Sequence, residues 1–353
     1  MQIAAEKPRY LSNLAAQLRA GLEFLPNGFR SRHSEYLLAA QRPDGGFAGR
    51  QGGSDIYYTM FALRSAELLL PADEGLWRRA AQYARSLSAY SPAELRSAGP
   101  PRDMVECFCL LCIRRLAGER AGTGGNDEGG AAIMEAVRRL RAADGGYARF
   151  PGGEATVYHT FLAALCAELS GSDFSGAGEA AAFVLSRRCA DGGYADSAKD
   201  GAEGATNTTA AALALLTLLA TPEGLSNKAP VDRTSAIAAQ AAEFLASMQR
   251  PEGGFAAWAG APEPDLLSTF TASAALAGLG ALGRVKLAPV ARFAHRLQAS
   301  AGGFRGCAGD AVPDVEYTYY GLGTLALLAQ AAASWTPGPK GMAVALERNG
   351  LHD

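Results

Sequence analysis

Residues 243–255 read EFLASMQRPEGGF: an apolar helical stretch that stops at a glutamine, turns through Arg-Pro-Glu and ends in Gly-Gly-Phe. Apolar residues three and four apart mark the buried face of a helix, and the glycine pair suits a helix end where the chain needs positive φ. The phrase returns as EYLLAAQRPDGGF at 35–47, VRRLRAADGGY at 137–147, FVLSRRCADGGY at 183–194 and RFAHRLQASAGGF at 292–304. Five copies in one chain mark a repeat architecture.

The first glycines stand at 45, 145, 192, 253 and 302, so the first interval is twice the unit and predicts a degenerate copy near residue 95. AAQYARSLSAY (80–90) and DMVECFCLLCIRRLAG (103–118) supply its two helices. After each glycine pair comes a polar loop and a second apolar helix. These helices start at Asp55, Thr156, Ala205, Asp265 and Asp314, where Asp and Thr read as N-caps and Asn207, Thr208 and Thr209 as a capping island. The first helix of each unit mixes arginine with leucine and belongs outside, whereas the second is apolar nearly all round and belongs inside. The expectation is an all-α chain, a single α/α barrel over 1–353. Its helical hairpins span roughly 34–71, 78–118, 131–170, 179–221, 236–284 and 288–331, with a C-terminal strap over 332–353 in which Trp335 is an anchor.

A net charge of -2, with 33 basic and 35 acidic residues scattered along the chain, leaves no basic footprint for nucleic acid or an anionic membrane. A small neutral or apolar ligand fits better. Cys107, Cys109 and Cys112 lie in one apolar helix pattern, so the six cysteines read as reduced core residues. Glu6, Lys7 and Arg9 interrupt the start where an export signal needs apolar residues, and no run reaches a membrane-spanning length, which points to the cytoplasm.

The phrase F-L-x-x-x-Q-x-x-x-G-G-F at 244–255 resembles the repeat of protein prenyltransferase β subunits, such as that of Rab geranylgeranyltransferase, and of squalene-hopene cyclases. The resemblance spans 35–331 and implies an α6/α6 toroid whose inner helices surround an apolar funnel, with functional groups at their N-terminal ends. It also implies a zinc triad of Asp, Cys and His. Asp265 matches the aspartate, but Leu267 stands at the cysteine position and Glu316 or Tyr317 at the histidine position. The loops that match the family's diphosphate-binding loops hold Lys199 as their single basic residue. The cyclase motif D-x-D-D has its counterpart in ATNTTA (205–210), which carries no acid. No metal ligand and no cofactor is therefore assigned, zinc being the one metal the resemblance raises.

Asp265, Asp314 and Glu316 fall at the predicted mouth and are the candidate catalytic acids, with N-capping as the structural alternative for the two aspartates. Tyr57, Tyr58, His159, Trp258, Phe270, Tyr317 and Tyr320 are the candidate substrate-binding residues, with ordinary core packing as the alternative for the rings. Three readings follow. The chain is a prenyltransferase-like transferase for an isoprenoid, diverged at its zinc and diphosphate sites; a metal-independent terpene or squalene cyclase; or a non-catalytic toroid that binds isoprenoid or lipid. A helical partner subunit is compatible with the first.

Overall fold

Thirteen α-helices occupy the described residues, 10–87, 103–120, 128–196, 201–220 and 235–335, of the computed structural model. After α1 (Tyr10–Leu22) they alternate between two rings. The outer ring comprises α2 (Asn27–Ala40), α4 (Glu74–Ser86), α6 (Glu128–Arg138), α8 (Ala177–Ser186), α10 (Ala236–Ser247) and α12 (Leu287–Arg296). The inner ring comprises α3 (Ile56–Leu69), α5 (Met104–Arg120), α7 (Val157–Ser170), α9 (Thr206–Leu219), α11 (Leu266–Gly278) and α13 (Val315–Trp335). Each inner helix packs on the next and α13 packs on α3, so the ring closes. The architecture is the α/α toroid that the repeat predicts. Helix α13 runs on to Trp335, past the predicted start of the strap, and 336–353 lie outside the described residues. Among the described residues no helix is long and apolar enough to cross a membrane.

The Gly-Gly turns carry the closure. Gly45 has φ of 90°, and its N–H bonds the Arg42 carbonyl at 2.9 Å in a tight turn. A Cβ there would overlap the carbonyl oxygen of Arg79 in α4, the next outer helix. The first glycines of the other turns bear in the same way on Glu179 of α8, Gln240 of α10, Pro289 of α12 and, at Gly302, on Arg32 of α2. The last turn thus rests on the first outer helix. Each second glycine lies against an aromatic ring of that same neighbour: Tyr83, Phe183, Phe244, Phe293 and, for Gly303, Tyr36. His33 joins the final contact, accepting the Gly303 N–H at 3.0 Å and stacking on Phe304; burial pushes its pKa down to about 4, so it stays neutral.

Behind each turn the aromatic residue is buried, and its amide needs a partner. An inner-helix threonine provides one in all five copies. The N–H groups of Phe47, Tyr147, Tyr194, Phe255 and Phe304 donate to Oγ1 of Thr59, Thr160, Thr209, Thr269 and Thr318 at 2.9–3.2 Å. Each threonine sits four residues after the cap, one helical turn in, and Thr160, Thr269 and Thr318 donate back to the cap carbonyl at 2.6–2.7 Å. Sequence analysis treats Thr209 as part of a capping island. The structure corrects this: Ala205 is the N-cap of α9 and has no side-chain bond, while Thr209 is the hook of its repeat.

Helix α1, which the repeat pattern passes over, packs on α3, α7 and α13. Leu11, Ala15, Leu18 and Leu22 recur at helical spacing and are buried. Glu168 in the last turn of α7 accepts the Tyr10 and Leu11 amides at 2.6 and 3.1 Å, capping α1 from another repeat. The helix therefore lies across the C-terminal halves of the inner helices, opposite the end where they begin.

Gly45→Ala and Gly52→Ala separate backbone strain from contact, because both glycines have φ of 90° but only Gly52 faces open space. Thermal or urea denaturation should show a loss of about 1 kcal/mol for Gly52→Ala and about 3 kcal/mol or more for Gly45→Ala. Equal losses would mean that the turn does not bear on α4.

Candidate functional site

Every inner helix starts at the same end of the barrel, so equivalent residues form a rim. The second residues of α3, α5, α7, α9, α11 and α13 are Tyr57, Val105, Tyr158, Asn207, Leu267 and Glu316. One turn deeper stand Phe61, Cys109, Leu162, Ala211, Thr271 and Tyr320. Contacts confirm the register where side chains meet. The Tyr57 hydroxyl donates to Glu316 Oε1 at 2.7 Å, and the Tyr57, Phe61 and Tyr320 rings follow one another at 5.0 and 5.2 Å. Phe270 packs on Tyr319 and Tyr320 at 5.5 and 5.6 Å. Across the rim, Thr271 donates to Asn207 Oδ1 at 2.6 Å.

Glu316 is the carboxyl that faces this interior. Burial among the rings raises its pKa; the bonds from Tyr57 and Tyr320 pull in the other direction, and the charge of Asp314 adds to the rise. Tyr57 is in turn held in its neutral form by burial and by the charge of Glu316, whereas Tyr158 is 41% exposed at the mouth. A protonated Glu316 would carry its proton on Oε2, with Oε1 already receiving the Tyr57 hydrogen bond.

The two candidate aspartates are caps. Asp265 accepts the Ser268 N–H at 2.7 Å and its hydroxyl at 2.8 Å. Asp314 accepts the Tyr317 N–H at 2.9 Å and pairs with Arg50 Nε at 3.0 Å. Burial raises the pKa of both. Arg50 also holds Asp310 with two bonds of 2.9 and 2.7 Å, so a first-repeat arginine locks the last repeat to the first. Asp310 is kept below the usual carboxyl range, mainly by the bond from Arg50.

Of the candidate binding residues, Tyr57, Phe270 and Tyr320 come together with Glu316. Tyr58, His159 and Tyr317 lie one residue further round their helices and face the loops. The Tyr58 ring covers Gly49, the Tyr317 ring covers Gly306 beneath Arg50, and His159 Nδ1 lies 2.7 Å from the Thr156 hydroxyl. Burial lowers the His159 pKa. Trp258 stands apart in the fifth-repeat loop, 51% exposed.

Arg64 escaped the sequence reading. It is 5% exposed and donates to the Tyr319 hydroxyl at 3.0 Å, beside Cys112 and Tyr10 of α1. The signal was an arginine in the middle of the apolar run DIYYTMFALRSAELLL.

A zinc ion does not fit the residues at the positions the resemblance implies. Both Asp265 oxygens are taken by Ser268, Leu267 offers hydrocarbon, and Glu316 faces Tyr57. Among the described residues no group of three or more His, Cys, Asp or Glu is placed to hold a metal.

The family model of the prenyltransferase alpha-alpha toroid domain matches residues 18–177, 130–237 and 228–336. Among solved structures, protein geranylgeranyltransferase-I of Candida albicans complexed with GGPP is 15% identical over 91% of this chain and 98% of that one, with a TM-score of 0.63. A type II terpene cyclase from Scytonema in complex with merosterolic acid A is 14% identical over 91% and 98%, with a TM-score of 0.55. An α-1,6-mannanase of Salegentibacter in complex with mannotetrose is 12% identical over 91% and 99%, with a TM-score of 0.61. At such identities the likeness shows the fold alone. No curated protein matches the sequence.

Two substitutions test the site. Tyr57→Phe removes a donor to the Glu316 carboxylate, so the Glu316 titration followed by carbon-13 NMR should move upward; an unchanged midpoint would mean the bond does not form in solution. Arg50→Met should cost about 2 kcal/mol in urea denaturation at neutral pH, after allowance for the exposed part of the pair. Asp310 has its pKa depressed on folding, so that stabilisation is present above the unfolded carboxyl value and is lost as pH falls through the folded one. The difference between the proteins should therefore shrink in acid.

Proposed function

The chain belongs to the prenyltransferase alpha-alpha toroid family, and from that premise we propose that its inner barrel binds an isoprenoid chain and acts on it by metal-independent acid catalysis, with Glu316 as proton donor. The observation that carries this reading is a carboxyl of raised pKa set among aromatic rings and hydrogen-bonded by Tyr57 at 2.7 Å. The two isoprenoid-related neighbours add support, since one was solved with GGPP and another is a type II terpene cyclase. Of the three readings of the sequence, the rim favours the cyclase-like one, because the donor set does not fit zinc.

In the proposed step, the proton on Glu316 Oε2 adds to one carbon of a substrate double bond. The π pair becomes the new C–H bond and the neighbouring carbon becomes cationic. The Tyr57 O–H bond to Oε1 stabilises the carboxylate left behind. The faces of Tyr57, Phe61, Phe270 and Tyr320 stabilise the cation. A second double bond of the chain attacks the cation to form a ring, the final cation loses an adjacent proton to water, and Glu316 is reprotonated from solvent. Asp265 and Asp314 position the helices that carry this wall. The six unpaired cysteines support a cytoplasmic site of action.

The test is conversion of squalene or geranylgeraniol followed by mass spectrometry, with Glu316→Gln beside the parent protein. The variant should bind the same isoprenoid and lose about a hundredfold or more in rate. In the parent the rate should fall as pH rises through the raised Glu316 value, because the protonated form is the reactant. Binding without conversion in the parent would leave a carrier in place of an enzyme, and absence of binding would refute the reading altogether.

A further inference from the structure

The rim also bears on the head group of the substrate, an inference that rests on the isoprenoid reading above. Two arginines act electrostatically on the rim, Arg50 on Glu316 and Arg149 on Tyr158. Both are already paired. Arg50 holds Asp310 and Asp314, and Arg149 holds Asp103 at 2.9 Å. The positive ends of the inner helices point at the mouth as well, but Asp55, Asp103, Asp265 and Asp314 accept backbone amides at four of them. Asp196 caps a fifth from the next loop, accepting the Val157 N–H at 2.9 Å. The field that would draw an anion is thereby offset by carboxylates.

Two helices round the ring from Glu316 the wall is neutral and polar. Asn207 accepts from Thr271 at 2.6 Å, and one N–H of its amide donates to the Ser268 hydroxyl at 3.4 Å, which in turn donates to Asp265. The amide keeps a second N–H beyond the one given to Ser268, and Asn207 is the one carboxamide among the six rim residues. Its neighbours in the same register are Tyr158 and Leu267, neither of them charged.

We infer that the isoprenoid enters with an uncharged oxygen head, a hydroxyl or carbonyl, that accepts a hydrogen bond from Asn207 and excludes a diphosphate. A dianionic head would have to displace paired carboxylates from Arg50 or Arg149, or stand beside Asp314 with both of these arginines, among the described residues, already committed. A hydroxyl meets neither cost.

The experiment is equilibrium binding of geranylgeraniol, geranylgeranyl diphosphate and squalene to the full chain, by native mass spectrometry and by competition with a fluorescent isoprenoid. Geranylgeraniol should bind about ten-fold or more tighter than the diphosphate. Asn207→Leu, a side chain already present in this register at Leu267, should weaken geranylgeraniol about five-fold and leave squalene unchanged, with circular dichroism confirming the fold. Diphosphate binding as tight as the alcohol would overturn the inference while leaving the isoprenoid reading intact. Equal weakening of alcohol and hydrocarbon in the variant would also overturn it, because Asn207 would then act through the shape of the barrel. If none of the three binds, it is the isoprenoid reading that fails.

Discussion

The barrel depends on the close approach of a turn without a side chain to the backbone of the next hairpin. Gly45 and its counterparts allow that approach, and the second glycine lets an aromatic ring of the neighbour settle over the turn. Because the contact runs from one unit to the next in all five Gly-Gly turns, the last of them returns the chain to α2. The buried threonines then fix five of the six inner helices to their turns at a single height, since an amide hydrogen bond near 3 Å tolerates little sliding.

This division of labour explains which parts of the molecule the sequence makes legible. The hairpin count, the two rings and the helix starts are periodic signals, and they emerge from the spacing of Gly-Gly-aromatic and of the caps. The threonine hook is equally periodic, appearing as the last letter of DIYYT, TVYHT, ATNTT, DLLST and DVEYT. It stayed hidden because a threonine near a helix start reads as a cap, and cap and hook differ only in which distant amide they meet. Helix α1 stayed hidden for another reason: it has no Gly-Gly phrase, and its partners lie far away in sequence.

The candidate site was legible in kind but not in geometry. Three acids sit at helix starts and look alike in a sequence, yet the first position of the motif is a cap and the third faces the interior. Asp265 and Asp314 hold first positions; Glu316 holds a third. The same register sorts the aromatics, placing Tyr57 and Tyr158 at the rim and turning Tyr58 and Tyr317 toward the loops. With the cap and the threonine held by structure, the residue between them is free to differ from unit to unit. That freedom yields Tyr, Val, Tyr, Asn, Leu and Glu around one ring, an asymmetric chemistry on a symmetric frame.

Helix α1 carries a consequence for the birth of the molecule. It leaves the ribosome before the twelve other described helices, yet it packs on α13, the last of them to be made, and Gly21 fits against the Ala326 backbone with no room for a side chain. At typical synthesis rates the two are separated by roughly 15–60 s. Over that interval the growing stack of hairpins has no closing neighbour, and the apolar faces of α1 and α3 await their partner. The barrel is therefore completed when α13 returns to α1, and a nascent chain stalled before α13 would expose the surfaces that chaperones recognise.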